Sequence, residues 1–171
     1  LYGALGVVAA AQGTMNNFLF GGAGFGYYET IAGGSGAGAG YHGAHALHTH
    51  MTNTAITDPE IIEQRYPVRL RQFAIRRGSG GDGQWHGGDG VVREFEFTAP
   101  LTVSLLTQHR VEQPFGMHEG HPGQKGQQRL LREGIESVLN GSTSFEVQQG
   151  DRIIIETPGG GGWGRPPLQA S

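Results

Sequence analysis

The chain of 171 residues contains no cysteine, which excludes disulfides, thiolate nucleophiles and zinc–thiolate centres together. Charge is also scarce: 16% of residues are Asp, Glu, Lys or Arg and the net charge is −3, so no global field draws the protein to nucleic acid or to an anionic membrane. Small molecules and other proteins are the expected partners. No GxxxxGK[ST] phosphate loop occurs, and Lys125 stands alone. No Gly-x-Ser-x-Gly elbow leads into a helix, although Gly34-Ser35-Gly36 places a serine in flexible surroundings. The apolar stretch Leu1 to Ala11 has no basic leader and is too short to span a bilayer. It reads as a helix cut from a longer chain, with Gly3 and Gly6 permitting close packing on an apolar partner.

What is abundant is glycine. The 32 glycines follow no three-residue period, which excludes collagen, and the Val, Ile, Leu and Phe runs between them argue against disorder. They mark turns and close backbone approaches. The densest run, Gly33 to Gly40, leads into His42, His45, His48 and His50. In His48-Thr49-His50 the alternation of an extended chain puts both imidazoles on one face, able to hold a metal or exchange protons. Thr52, Asn53 and Thr54 add short hydrogen-bonding side chains. Thr57-Asp58-Pro59-Glu60 reads as a helix entrance, with either Asp58 as cap and Pro59 in the first turn or a Thr57/Glu60 capping box. Pro67 ends that helix near Tyr66.

The remainder alternates like strands. Val68 to Arg77 mixes apolar and basic residues, with a phase slip between Leu70 and Phe73 that predicts a β-bulge and arginines on a solvated face. Val91, Phe95 and Phe97 line one face of the next strand, with Arg93 among them. Ala99-Pro100 breaks it, and Leu101, Val103 and Leu105 follow, so the two read as adjacent antiparallel strands. Gln108 to Gln128 is a long polar loop carrying His109, His118 and His121, of a length often tied to function. Asn140-Gly141 signals a hairpin after Ile135 to Leu139. Phe145-Glu146-Val147 and Ile153-Ile154-Ile155 suggest a second hairpin with a buried final strand. Asp89 and Asp151 read as turn residues. The two GxGxxG matches, from Gly38 and from Gly78, lead into no βαβ helix and are accidents of composition. The expected fold is mainly β, antiparallel, a sandwich or barrel-like body with one or two short helices, with α+β as the alternative. Residues 1–67 are expected to hold the N-terminal helix, the Gly/His-rich segment and the capped helix as part of a truncated larger domain. Residues 68–164 form a β-rich domain and 165–171 a loose tail.

Several blocks, in order, resemble the hydantoinase B/oxoprolinase family: Tyr27-Tyr28-Glu29-Thr30-Ile31, Gly33-Gly34-Ser35-Gly36-Ala37-Gly38, His48-Thr49-His50-Met51-Thr52-Asn53-Thr54, Thr57-Asp58-Pro59-Glu60, Arg65-Tyr66-Pro67-Val68, Arg77-Gly78-Ser79-Gly80-Gly81, Gly87-Gly88-Asp89-Gly90 and Glu156-Thr157-Pro158-Gly159-Gly160-Gly161-Gly162. The resemblance covers Gln12 to Gly164 and places the chain in the C-terminal part of a much longer B-type subunit. It implies ATP-dependent opening of a cyclic amide, 5-oxo-L-proline to glutamate in oxoprolinases. An actin-like, hydantoinase A-type ATPase domain or subunit phosphorylates the substrate oxygen, and the B-type region handles the activated intermediate. The implied partners are that ATPase and the missing upstream part. ATP and a divalent metal are expected in the complete enzyme, with no recognisable ATP motif in this chain, and the cytoplasm is the expected compartment. Such chemistry needs a water-activating base and oxyanion donors. His48, His50 and Asn53 are the catalytic candidates, and Gly34, Ser35, Gly36 and Thr54 the substrate contacts. His48, His50 and Asp58 form an alternative metal set. Leu139 to Ser144 resembles the oxoprolinase branch, with Ser142 where lysine is expected and, elsewhere, His86 where arginine is more usual. A non-catalytic assembly domain and a stand-alone metal-binding β-barrel are the competing readings.

Overall fold

A computed structural model describes residues 2–50 and 52–167; Leu1, Met51 and residues 168–171, with the ends of the predicted N-terminal helix and loose tail, lie outside the description. Its elements are β1 (Asn16–Gly22), β2 (Phe25–Thr30), α1 (Pro59–Arg65), β3 (Val68–Arg76), β4 (Gly90–Phe97), β5 (Leu101–Thr107), β6 (Gln127–Arg132), β7 (Ile135–Val138), β8 (Ser142–Val147) and β9 (Arg152–Glu156). All pairings are antiparallel, in one sheet ordered β2-β1-β5-β8 and another ordered β3-β4-β9-β6-β7. The fold is therefore mainly β with one short helix, a sandwich of two open sheets.

Alternation fills the sandwich. Phe18, Phe20, Val103 and Leu105 come from one sheet and Phe95, Phe97, Ile153 and Ile155 from the other, all buried. The Phe18 and Phe95 rings meet across the layers at 5.0 Å. Each such side chain removed from water contributes about 1.5–3 kcal/mol. Helix α1 adds Ile62 to this core, and its start follows the first of the two expected caps: Asp58 Oδ1 accepts the Glu60 N–H at 2.9 Å behind Pro59. The predicted bulge is present as a register shift between Leu70 and Gln72. Arg93, expected among core residues, is fully buried and meets Glu29 through Nε–Oε1 at 2.6 Å and Nη2–Oε2 at 2.9 Å. Tyr27 donates to Glu29 Oε2 at 2.6 Å; burial first, then that bond, push the phenol above its ordinary pKa.

Three expectations of connection are corrected. Strands β4 and β5 are not partners, because the Ala99-Pro100 break carries the chain from one sheet to the other. Asn140-Gly141 likewise joins β7 and β8 across sheets, and β8 and β9 lie in different sheets too. The hairpin in this region is β6–β7, turned by Glu133 and Gly134 at φ 52° and 78°, the paired left-handed geometry of a type I′ turn. The N-terminal apolar run is not a helix: residues 2–7 form turns, with Gly6 at φ 64° where a helix would continue. Among the described residues no helix is long and apolar enough to cross a membrane.

Outside the sheets the glycines form a second ordered body. The N–H groups of Gly159, Gly160, Gly161 and Gly162 donate to Gln124, Gly88, Ala10 and His121 at 3.1, 2.8, 2.7 and 2.9 Å. After three residues the same neighbouring segment recurs. The carbonyls repeat the rule, since Pro158 and Gly161 accept from Gly34 and Ala37, both at 3.0 Å, while Gly160 accepts from Gly81 at 2.8 Å. Three residues per turn with every bond leaving the strand is polyproline-II geometry, here packed as a bundle. Close approach requires glycine: a methyl group on Gly160 would overlap the Ser35 carbonyl, and one on Gly34 the Gly88 carbonyl.

Candidate functional site

The bundle fixes a cleft beside the N-terminal segment. Residues 8–12 are fastened by Ala9 N–H to Ala37 O at 2.9 Å, Ala10 N–H to Phe115 O at 3.0 Å and Gln12 N–H to Gly34 O at 2.9 Å. The Phe115 ring lies over Gly3, whose missing Cβ would come within 2.6 Å of its Cζ. At Gly13, φ 91° turns the chain, and the missing Cβ leaves room for Gln108 Oε1 and, 3.2 Å from where it would stand, His109 Cδ2. The result is an open cleft of about 350 Å³, walled by Tyr2, Val8, Ala11, Phe115 and two imidazoles, His50 and His109.

Both histidines occupy the left-handed region, His50 at φ 58° and His109 at φ 53°. Such positions cost on the order of 1–3 kcal/mol each and gather at functional sites. The φ of His50 ends the extended run assumed for His48-Thr49-His50, and its ring stacks on Tyr2 at 5.8 Å. His109 donates Nδ1–H to the Glu112 carbonyl at 3.1 Å. His48 is half-buried with Nε2 3.4 Å from Thr54 Oγ1 and Nδ1 buried without a partner; burial lowers its pKa, so the ring is neutral. Thr52 Oγ1 donates to Thr14 O at 3.0 Å and ties this segment to the cleft.

The remaining predicted residues lie elsewhere. Asn53 and Thr54 are exposed, and Asp58 is engaged as the helix cap. Gly34 and Gly36 are buried in the bundle, and Ser35 Oγ accepts the Ala44 N–H at 2.7 Å. Among the described residues no three His, Asp or Glu side chains converge as a metal site requires.

A second cleft of about 350 Å³ gathers His42, His45, Asp82, His86 and Asp89. His42 Nδ1 accepts the His86 N–H at 2.8 Å and His45 Nδ1 the Asp89 N–H at 2.7 Å, so both rings carry their proton on Nε2. Neither has a lone pair left for a metal. Asp89 Oδ1 accepts the Gly80 N–H at 2.8 Å, a structural pin. The sequence assigned no role to His109; its Glu112 contact lies three residues away, but its cleft is made by Gly13 and Phe115, which no local pattern links to it.

The family model described as Hydantoinase B/oxoprolinase matches residues 1–166. The 5-oxoprolinase of Dictyostelium discoideum is 49% identical over 163 residues, 95% of this chain and 13% of that protein. The 5-oxoprolinase 1 of Arabidopsis thaliana is 49% identical over 157 residues, 91% of this chain and 12% of its own length. The chain thus spans a small part of the curated relatives it matches. Among solved structures, the ATP-dependent caprolactamase from Pseudomonas jessenii has the same fold over 95% of this chain and 31% of its own, with a TM-score of 0.76 at 24% identity.

Proposed function

Because the chain belongs to the hydantoinase B/oxoprolinase family, we propose that it is the C-terminal portion of an ATP-dependent cyclic-amide hydrolase and walls the chamber where the activated ring is opened. The observation that carries this reading is the apolar cleft of about 350 Å³ with His50 and His109 in its wall, a size suited to a compact ring. In this reading His50 takes a proton from attacking water, and neutral His48, 3.4 Å from Thr54 Oγ1, steadies the segment that carries Asn53 and Thr54. Gly34, Ser35 and Gly36 act through their backbone, shaping the bundle behind the cleft. The names of the relatives favour 5-oxoproline as the ring. We assign ATP to a hydantoinase A-type domain or subunit and a divalent metal to the remainder of the enzyme. ATP-driven chemistry of this kind places the assembly in the cytoplasm.

One observation favours a second reading, a structural and assembly domain: the residues expected to touch substrate at Gly34 and Gly36 are buried among other backbones. The deciding experiment is oxoproline-dependent release of ADP and glutamate by the full-length enzyme with its ATPase, comparing wild type with His48→Ala and His50→Ala at matched folding. Continued ADP release with loss of glutamate supports the catalytic reading. Both products unchanged leaves the assembly domain.

A further inference from the structure

We infer that His109 accepts the N–H of the bound cyclic amide and thereby sets a preference for rings whose nitrogen carries hydrogen; the inference rests on the function proposed above. The tautomer is fixed by geometry. A backbone carbonyl can only accept, so the 3.1 Å contact to Glu112 O puts the proton of the neutral ring on Nδ1 and leaves the lone pair on Nε2. Cδ2, the ring atom bonded to Nε2, lies 3.2 Å from where a Cβ on Gly13 would stand, and both residues line the cleft. A side chain at Gly13 would displace it. The described residues around the cleft include no Asp, Glu, Lys or Arg, so a lone pair in this largely apolar wall selects a neutral donor.

The test uses the full-length enzyme and pairs of rings that differ only by N-methylation. With 5-oxoproline and its N-methyl derivative, wild type is expected to prefer the N–H ring by roughly tenfold or more in kcat/KM. His109→Phe, which keeps a flat ring without the lone pair, is expected to remove most of that preference, chiefly by raising KM for the N–H ring. His109→Gln, whose amide oxygen accepts, is expected to restore part of it. A preference undiminished in His109→Phe overturns the inference. Binding of pyrrolidinone and N-methylpyrrolidinone, titrated calorimetrically without ATP, separates this result from the functional reading. If no cyclic amide is hydrolysed, that reading fails, and the same two ligands still decide His109: tighter binding of pyrrolidinone that is lost in His109→Phe upholds it, and equal binding in wild type overturns it.

Discussion

A buried imidazole nitrogen without a hydrogen-bond partner is least costly when the ring is neutral, and His48 is held in that state by burial. In the unfolded chain the same ring takes a proton at the ordinary value of about 6.5. The unfolded state therefore binds more protons just below that pH. Stability from His48 is present above the ordinary value and is lost as the pH falls through the lowered folded one. Asp151 also loses stability on acidification, in a separate and lower window. Burial alone would raise its carboxyl, but the Arg132 hydrogen bond, the Gln148 amide and the Arg132 charge hold it below the usual carboxylate range. Denaturation midpoints of His48→Gln are expected to fall less than those of wild type between about pH 7 and 5. Parallel curves for the two proteins would mean that His48 gains no neutrality from folding.

At the scale of elements, the glycine run differs from a loop in what an added methyl group meets. Gly160→Ala would drive Cβ into the Ser35 carbonyl, a backbone atom that no rotamer change can move aside. Overpacking of this kind costs about 1–3 kcal/mol. In β2, Gly26 has open space where its Cβ would stand, and Gly26→Ala is expected to be neutral or stabilising by about 0.4–1 kcal/mol. Equal urea midpoints for the two variants would show that the bundle yields at no cost. Whether an element was legible in the sequence follows the same physics. The Asp58 cap and the bulge after Leu70 are encoded by residues within a few positions of each other, and both were readable. The partners of β5 and β8 were not, because alternation reveals which face is buried but not which sheet a strand joins after a turn. The His cluster marked out His50, which lines the cleft beside the N-terminal segment. His109 was visible only as one histidine in a polar loop, since its setting depends on Gly13 in a distant segment and on the path of its own loop, which brings Phe115 to the same cleft. The bundle was hidden for another reason: threefold bonding among separated segments leaves no period in any one of them.

At the scale of the whole molecule, sandwich and bundle share continuous chain at several points. Strand β9 runs into Thr157, which accepts the Val91 N–H at 2.8 Å and donates its hydroxyl to Ala32 O at 2.8 Å before the run Gly159–Gly162 begins. Strand β4 starts two residues after Gly88, which donates to Ser35 O at 2.9 Å and accepts from Gly160 at 2.8 Å. Opening the bundle thus removes the anchors of the two central strands that carry Phe95 and Ile153. The strands preceding residue 67 are tied in as well, since β1 pairs with β5 along its length. A body joined in this way is expected to unfold as one cooperative unit. The amides of Gly160, Gly161 and Gly162 are therefore expected to exchange with solvent as slowly as those of Phe95 and Ile153, although the glycines lie outside both sheets. Residue-resolved hydrogen exchange decides it. Glycine amides that exchange a hundredfold faster would make the bundle a separately opening layer, and the cleft resting on it a mobile wall rather than a fixed one.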